Sequence, residues 1–135
     1  MSIAGDGAAP ADPTVVPDDL ARDWAEAWNA RDLDAILSHY AEDVIFRSPK
    51  AVAVAGRAEL TGRAALADYW GRALAGLREL HFSVEDVSWD PVRRVIAIFY
   101  LARLNSREEH ACEVLWLGPD GRAVRSEVFY GARRS

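Results

Sequence analysis

Read as a series of apolar and polar positions, the chain changes period once, near residue 80. Before that point apolar residues recur every three or four positions. Leu20, Trp24, Ala27 and Trp28 fall at i, i+4, i+7 and i+8, one stripe of a helix. Its start is predicted at Pro17-Asp18-Asp19, where acids suit the positive end of the helix dipole. Asn29-Ala30-Arg31-Asp32 interrupts the stripe. Asp32 then serves as N-cap of a second helix, Leu33 to Tyr40, with Leu33, Ile36, Leu37 and Tyr40 on its apolar side. A short strand is predicted over Val44 to Ser48, stopped by Pro49. Lys50 to Leu60 is small and irregular and predicts a loop with some extended character. A third helix is predicted from Gly62 to Gly76, burying Leu66, Tyr69, Trp70, Ala73, Leu74 and Leu77.

After residue 80 the period is two. Leu80, Phe82 and Val84 alternate, then the phase slips to Val87 and Trp89, which predicts a bulge near Glu85-Asp86. Asp90-Pro91, Asn105-Ser106 and Gly118-Pro119-Asp120-Gly121 read as turns. They separate strands over Val92 to Leu104, Glu108 to Leu117 and Arg122 to Tyr130, an antiparallel meander. Three helices before a run of strands predict an α+β fold with helices on one face of a curved sheet. Residues 1–16 are Ala, Gly, Pro and Asp with little to bury. They are expected to be a disordered tail ahead of a single domain over 17–131.

Strand parity singles out one residue. Glu113 shares a face with Ala111, Leu115 and Leu117, whereas Cys112, Val114 and Trp116 face the other way. A carboxyl group in apolar company must be paired, protonated or useful. Two readings stand side by side. Glu113 is a pocket acid whose pKa burial raises, or it is structural, paired with an arginine such as Arg47 or hydrogen-bonded to a helix-borne side chain or water. Arg47 is expected to point outward, because Phe46 and Ser48 flank it. The middle strands are apolar on both faces, and three short helices cannot cover both. The uncovered face, around Cys112, Val114, Trp116 and Phe129, is therefore expected to be buried in a homodimer.

Composition narrows the partners. The chain has 135 residues, a net charge of -5 and five tryptophans. The acidic balance argues against nucleic acid or an anionic membrane as partner. No apolar run approaches a membrane span, the N-terminus lacks a secretory pattern, and the expected location is the cytoplasm. Cys112 is the single cysteine, and no histidine pair has H-x-x-x-H spacing, so no metal or other cofactor is expected. His81 and His110 are expected to point outward, and His39 lies beside a buried stripe. Lys50 is the single lysine.

The run from Trp24 to Val44, W-A-E-A-W-N-A-R-D-L-D-A-I-L-S-H-Y-A-E-D-V, is followed by Phe46 and Pro49. Gly62-Arg63, Leu66, Tyr69-Trp70 and the ending G-R-A-V-R-S-E-V-F-Y-G complete the pattern. In this order of elements the chain resembles SnoaL-like proteins of the nuclear transport factor 2-like, or ketosteroid isomerase-like, superfamily, over roughly Pro17 to Gly131. The resemblance implies a cone-shaped, cystatin-like fold: helices and a curved antiparallel sheet around a deep pocket, dimeric through the sheet's outer face.

The same resemblance is a loose guide to activity, since this fold hosts many functions. Ketosteroid isomerases place a carboxylate base before the proline that ends the first strand; here that position is Ser48. Their helix-borne tyrosine donor corresponds to Trp24, and their second donor, a protonated acid, to Glu113. Limonene-type epoxide hydrolases use Arg-x-Asp where this chain has Ala111-x-Glu113. A SnoaL-type polyketide cyclase needs a pocket acid or base, which Glu113 alone could supply. The expected site is thus Glu113 as acid or base, with Trp24, Ser48, Trp70, Leu115, Ser126, Val128 and Tyr130 around a hydrophobic small molecule. The reaction would be an isomerisation or cyclisation of a cyclic or polyketide-like compound. The alternative is a non-catalytic binding or protein-interaction module.

Overall fold

The computed structural model describes residues 14–133. The expected N-terminal tail lies outside the described residues up to position 13; of the remainder, Val15 packs on the core. Helix α1 spans Pro17–Asn29 and buries Ala21, Trp24, Ala25, Ala27 and Trp28. Helix α2 spans Leu33–Leu37, and the Asp32 carboxylate caps it by accepting from the Ala35 N–H at 3.1 Å.

The second helix was expected to reach Tyr40, but Tyr40 opens strand β1, Tyr40–Arg47. Long-range pairing explains this. The Ala123 N–H donates to the His39 carbonyl at 2.8 Å, and Tyr40 stands in register with Ala123. The expected irregular segment after Pro49 holds a one-turn helix α3, Ala51–Ala55, ended by Gly56 at φ 82°, and a short strand β2, Glu59–Thr61. Helix α4, Arg63–Ala75, buries Leu66, Tyr69 and Trp70. There are thus four helices among the described residues rather than three, the extra one a single turn.

The strands that follow are β3 (Leu80–Asp90), β4 (Val95–Leu104), β5 (Arg107–Leu117) and β6 (Ala123–Arg133). Val92 was expected in a strand and instead lies in the turn, 90% exposed. The Asp90 carboxylate accepts from the Val92 and Arg93 N–H groups and extends the turn to Arg94. The register between β3 and β4 shifts between Val84 and Asp86, where the sequence predicts a bulge.

The six strands form one sheet in the order β2-β1-β6-β5-β4-β3. Every neighbouring pair is antiparallel except β1 with β6, which runs parallel. One face is buried through Phe46, Ile96, Ile98, Tyr100, Leu115 and Val128. Asn29 fastens α1 to β3, accepting from the Phe82 N–H at 2.7 Å and donating to its carbonyl at 3.0 Å. Aromatic rings fill the space between helices and sheet. Trp24 meets Phe82 at 5.5 Å and Tyr100 at 4.9 Å, and Trp70 meets Trp28, Tyr40 and Phe46 at 5.1, 5.0 and 5.3 Å. On the opposite face Phe99 and Phe129 remain exposed.

Candidate ligand-binding site

Glu113 lies mid-strand in β5, opposite Ile98 of β4 and Val128 of β6. Strand parity turns its side chain to the helix-covered face, where it is 3% exposed. Two hydroxyls reach it. Tyr40 donates to Oε2 at 2.5 Å, and Ser126, from β6, donates to the same oxygen at 2.7 Å. The Trp24 indole N–H in turn donates to the Tyr40 hydroxyl oxygen at 3.1 Å. A buried relay thus runs Trp24 to Tyr40 to Glu113, with every proton direction set by the indole, which can only donate. Oε1 makes no hydrogen bond to a described residue.

Arg47 does not compensate this acid. It points outward and pairs with Glu59 across β1 and β2 at 2.8 Å, both side chains about half exposed. Burial pushes the Glu113 carboxyl up to about 7, although the Tyr40 and Ser126 hydroxyls favour its charged form and pull the other way. Burial also raises the Tyr40 and Tyr100 hydroxyls well above the usual tyrosine range, and the nearby Glu113 charge adds to it.

Glu113 lines a cavity of about 430 Å³. Its wall is aromatic, from Trp28, Phe46, Tyr69, Trp70, Phe82 and Tyr100. Such a wall suits a flat apolar molecule, and the volume falls in the range of small-ligand pockets, about 300–1,000 Å³. Polar groups enter at a second place as well. Ser48 is buried at the end of β1 and shares the wall with Tyr69 and Tyr130. Burial raises both tyrosine hydroxyls, with the Ser48 hydroxyl acting against the rise.

Of the residues expected around a ligand, Glu113, Ser48, Trp70, Val128 and Tyr130 line this cavity. Trp24, Leu115 and Ser126 do not. Each is fully buried behind the wall, where Trp24 and Ser126 hold Tyr40 and Glu113 and Leu115 is core. Sequence reasoning missed Tyr40, which its helical spacing disguised. It also missed Lys50, which lines the cavity, pairs with Glu109 and stands 4.6 Å above the Tyr130 ring centre. His110 faces away from the cavity wall and meets Glu85 at 2.9 Å. Among the described residues no group of three or more His, Cys, Asp or Glu side chains is placed to share a metal ion. No described helix is long and apolar enough to cross a membrane.

A family model of the SnoaL-like domain matches residues 21–128. The chain belongs to the SnoaL-like family. A SnoaL-like protein of unknown function from Burkholderia thailandensis is 38% identical, with a TM-score of 0.76 over 85% of this chain and 93% of that one. A candidate ketosteroid isomerase from Kribbella flavida is 22% identical, with a TM-score of 0.66 over 87% of this SnoaL-like chain and 78% of the other. A candidate SnoaL-like polyketide cyclase from Shewanella denitrificans is 15% identical, with a TM-score of 0.66 over 84% and 89%. At these last two identities the likeness is one of fold. Comparison with curated proteins finds no match.

Proposed function

We propose that this SnoaL-like protein binds a hydrophobic cyclic or polyketide-like carbonyl compound in the cytoplasm, with Glu113 as a neutral hydrogen-bond donor to the carbonyl oxygen. The observation that carries this reading is the arrangement on Glu113. Two hydroxyls donate to Oε2. A proton on Oε2 would compete with them, so the neutral acid keeps its proton on Oε1, aimed at the ligand. A donor fixed in an apolar cavity stabilises charge developing on a carbonyl oxygen, as an oxyanion hole does. Isomerisation or cyclisation through an enol is the chemistry this arrangement suits.

One observation favours a second reading, a binding module without turnover. By the family resemblance Ser48 corresponds to the base of the isomerases, and among the described residues Glu113 is the one carboxylate in the cavity wall. A lone acid polarises a carbonyl but leaves the proton next to it without a base. The Glu113→Gln variant separates the readings. Assayed on a panel of cyclic ketones for both affinity and enolisation, an enzyme loses turnover and keeps affinity. Absence of any turnover in the wild-type protein, with tight ketone binding, decides for the module. Failure of every ketone to bind better than its hydrocarbon parent rejects both. We further infer a homodimer through the exposed outer face of the sheet.

A further inference from the structure

Lys50, Leu77 and Leu104 line both the cavity and a second recess outside it. They are the neck between the two. Asn105, Arg107 and Glu109 complete the recess. One ammonium group therefore stands where a ligand's outer end would lie. Lys50 reaches over the Tyr130 ring on the cavity side and pairs with Glu109 on the recess side.

The charge at this neck is not locked in place. The Lys50 and Glu109 side chains are 39% and 27% exposed, so water competes with their pairing, and such a pair is weakly held. Arg107 adds a second cation that makes no ion pair with a described residue. Two cations and one acid leave the recess net positive on a chain whose formal charge is -5. A local positive field of this kind draws in anions. Glu109 already displays the bond concerned, a carboxylate on the Lys50 ammonium.

We propose that the cavity takes flat apolar compounds bearing a carboxylate at the end opposite their carbonyl group, and that Lys50 selects them at the neck by exchanging Glu109 for that carboxylate. The carbonyl half of this statement rests on the reading of Glu113 above; the carboxylate half rests on the neck alone. Lys50 is then a specificity-determining residue.

The test uses four probes: naphthalene, naphthoic acid, acetylnaphthalene, and an acetylnaphthoic acid with its carboxylate at the far ring position. Affinities are read by tryptophan fluorescence at about pH 6, where an aryl carboxylate is ionised and Glu113 is mostly protonated. The acid should bind about tenfold more tightly than the neutral ketone, and this ratio should shrink as salt rises. In Lys50→Met the ratio should fall to about one, and Lys50→Arg should keep most of it. An acid that binds no better than the ketone overturns the proposal, as does a ratio that survives in Lys50→Met. Should that variant not fold, a wild-type ratio indifferent to salt overturns it equally. Acetylnaphthalene against naphthalene reads the Glu113 end separately. A failure there removes the carbonyl reading and leaves naphthoic acid against naphthalene to decide the role of Lys50.

Discussion

Tyr40 and Glu113, 73 positions apart, meet in the core of the protein, where the tyrosine hydroxyl donates to Oε2 at 2.5 Å. The contact ties the first residue of β1 to the middle of β5. It also fixes which carboxylate oxygen is left for the cavity.

Tyr40→Phe should therefore do two things at once. It leaves the buried Trp24 indole N–H without its acceptor, which should cost about 1–3 kcal/mol of stability in chemical denaturation. It also removes a donor that favours the ionised carboxylate, so the Glu113 pKa should rise beyond about 7 in a carboxyl-resolved NMR titration. A Glu113 pKa that falls or stays put would show that the hydroxyl does not act on the acid.

Stability should decline as pH rises through the Glu113 transition. The folded-state pKa, about 7, lies above the ordinary 4.5 of the unfolded chain. Between these values the native state binds more protons than the unfolded state, so unfolding free energy falls with pH. Below about 4.5 the group contributes no slope, and above about 7 the full penalty, on the order of a few kcal/mol, is present. Glu113→Gln should lack this component. Parallel stability-against-pH curves for the two proteins would contradict a buried, uncompensated carboxyl.

Parity on a strand made Glu113 legible, because neighbours two apart share a face whatever lies beyond. Depth was not legible. Leu115 and Ser126 lie on the expected face, yet sit behind the wall, because parity gives direction and not distance to the cavity; Trp24, expected at the wall from the family resemblance, is likewise buried behind it. Tyr40 completes a helical stripe with Leu33, Ile36 and Leu37, and only its pairing with Ala123 pulls it into a strand. Such a pairing is formed across most of the chain and leaves no local trace. α3 is one turn of Ala and Val between Pro49 and Gly56, too short for a period. The Lys50–Glu109 pair likewise depends on two segments that the sequence gives no reason to bring together.

A dimer through the outer sheet face is the next expectation. Phe99, Cys112 and Phe129 are in register on β4, β5 and β6 and form one row across that face. The two phenylalanines are 41% and 49% exposed. Apolar rows of this kind are seldom left in water. Light scattering at micromolar concentration should give twice the chain mass, and Phe129→Asp should shift it towards the monomer. A wild-type monomer whose solubility Phe129→Asp leaves unchanged would reject the interface.

Ligand affinity should carry the titration of Glu113 directly. A neutral carboxyl donates from Oε1 to a carbonyl oxygen; the carboxylate can only accept, and repels it. Binding of a neutral cyclic ketone should thus be strongest below about pH 7 and weaken as pH rises through that value. A neutral ketone has no titration of its own there, and none of the other groups in the cavity wall has an ordinary pKa near 7. Glu113→Gln supplies the control. A glutamine oxygen can accept from Tyr40 and Ser126 as Oε2 does, which turns its amide N–H towards the ligand at every pH. The variant should bind the ketone with little pH dependence across the same interval. Isothermal titration of one ketone at several pH values with both proteins measures this. Wild-type affinity that is flat through pH 7, or that rises with it, would mean that Glu113 does not act as the donor.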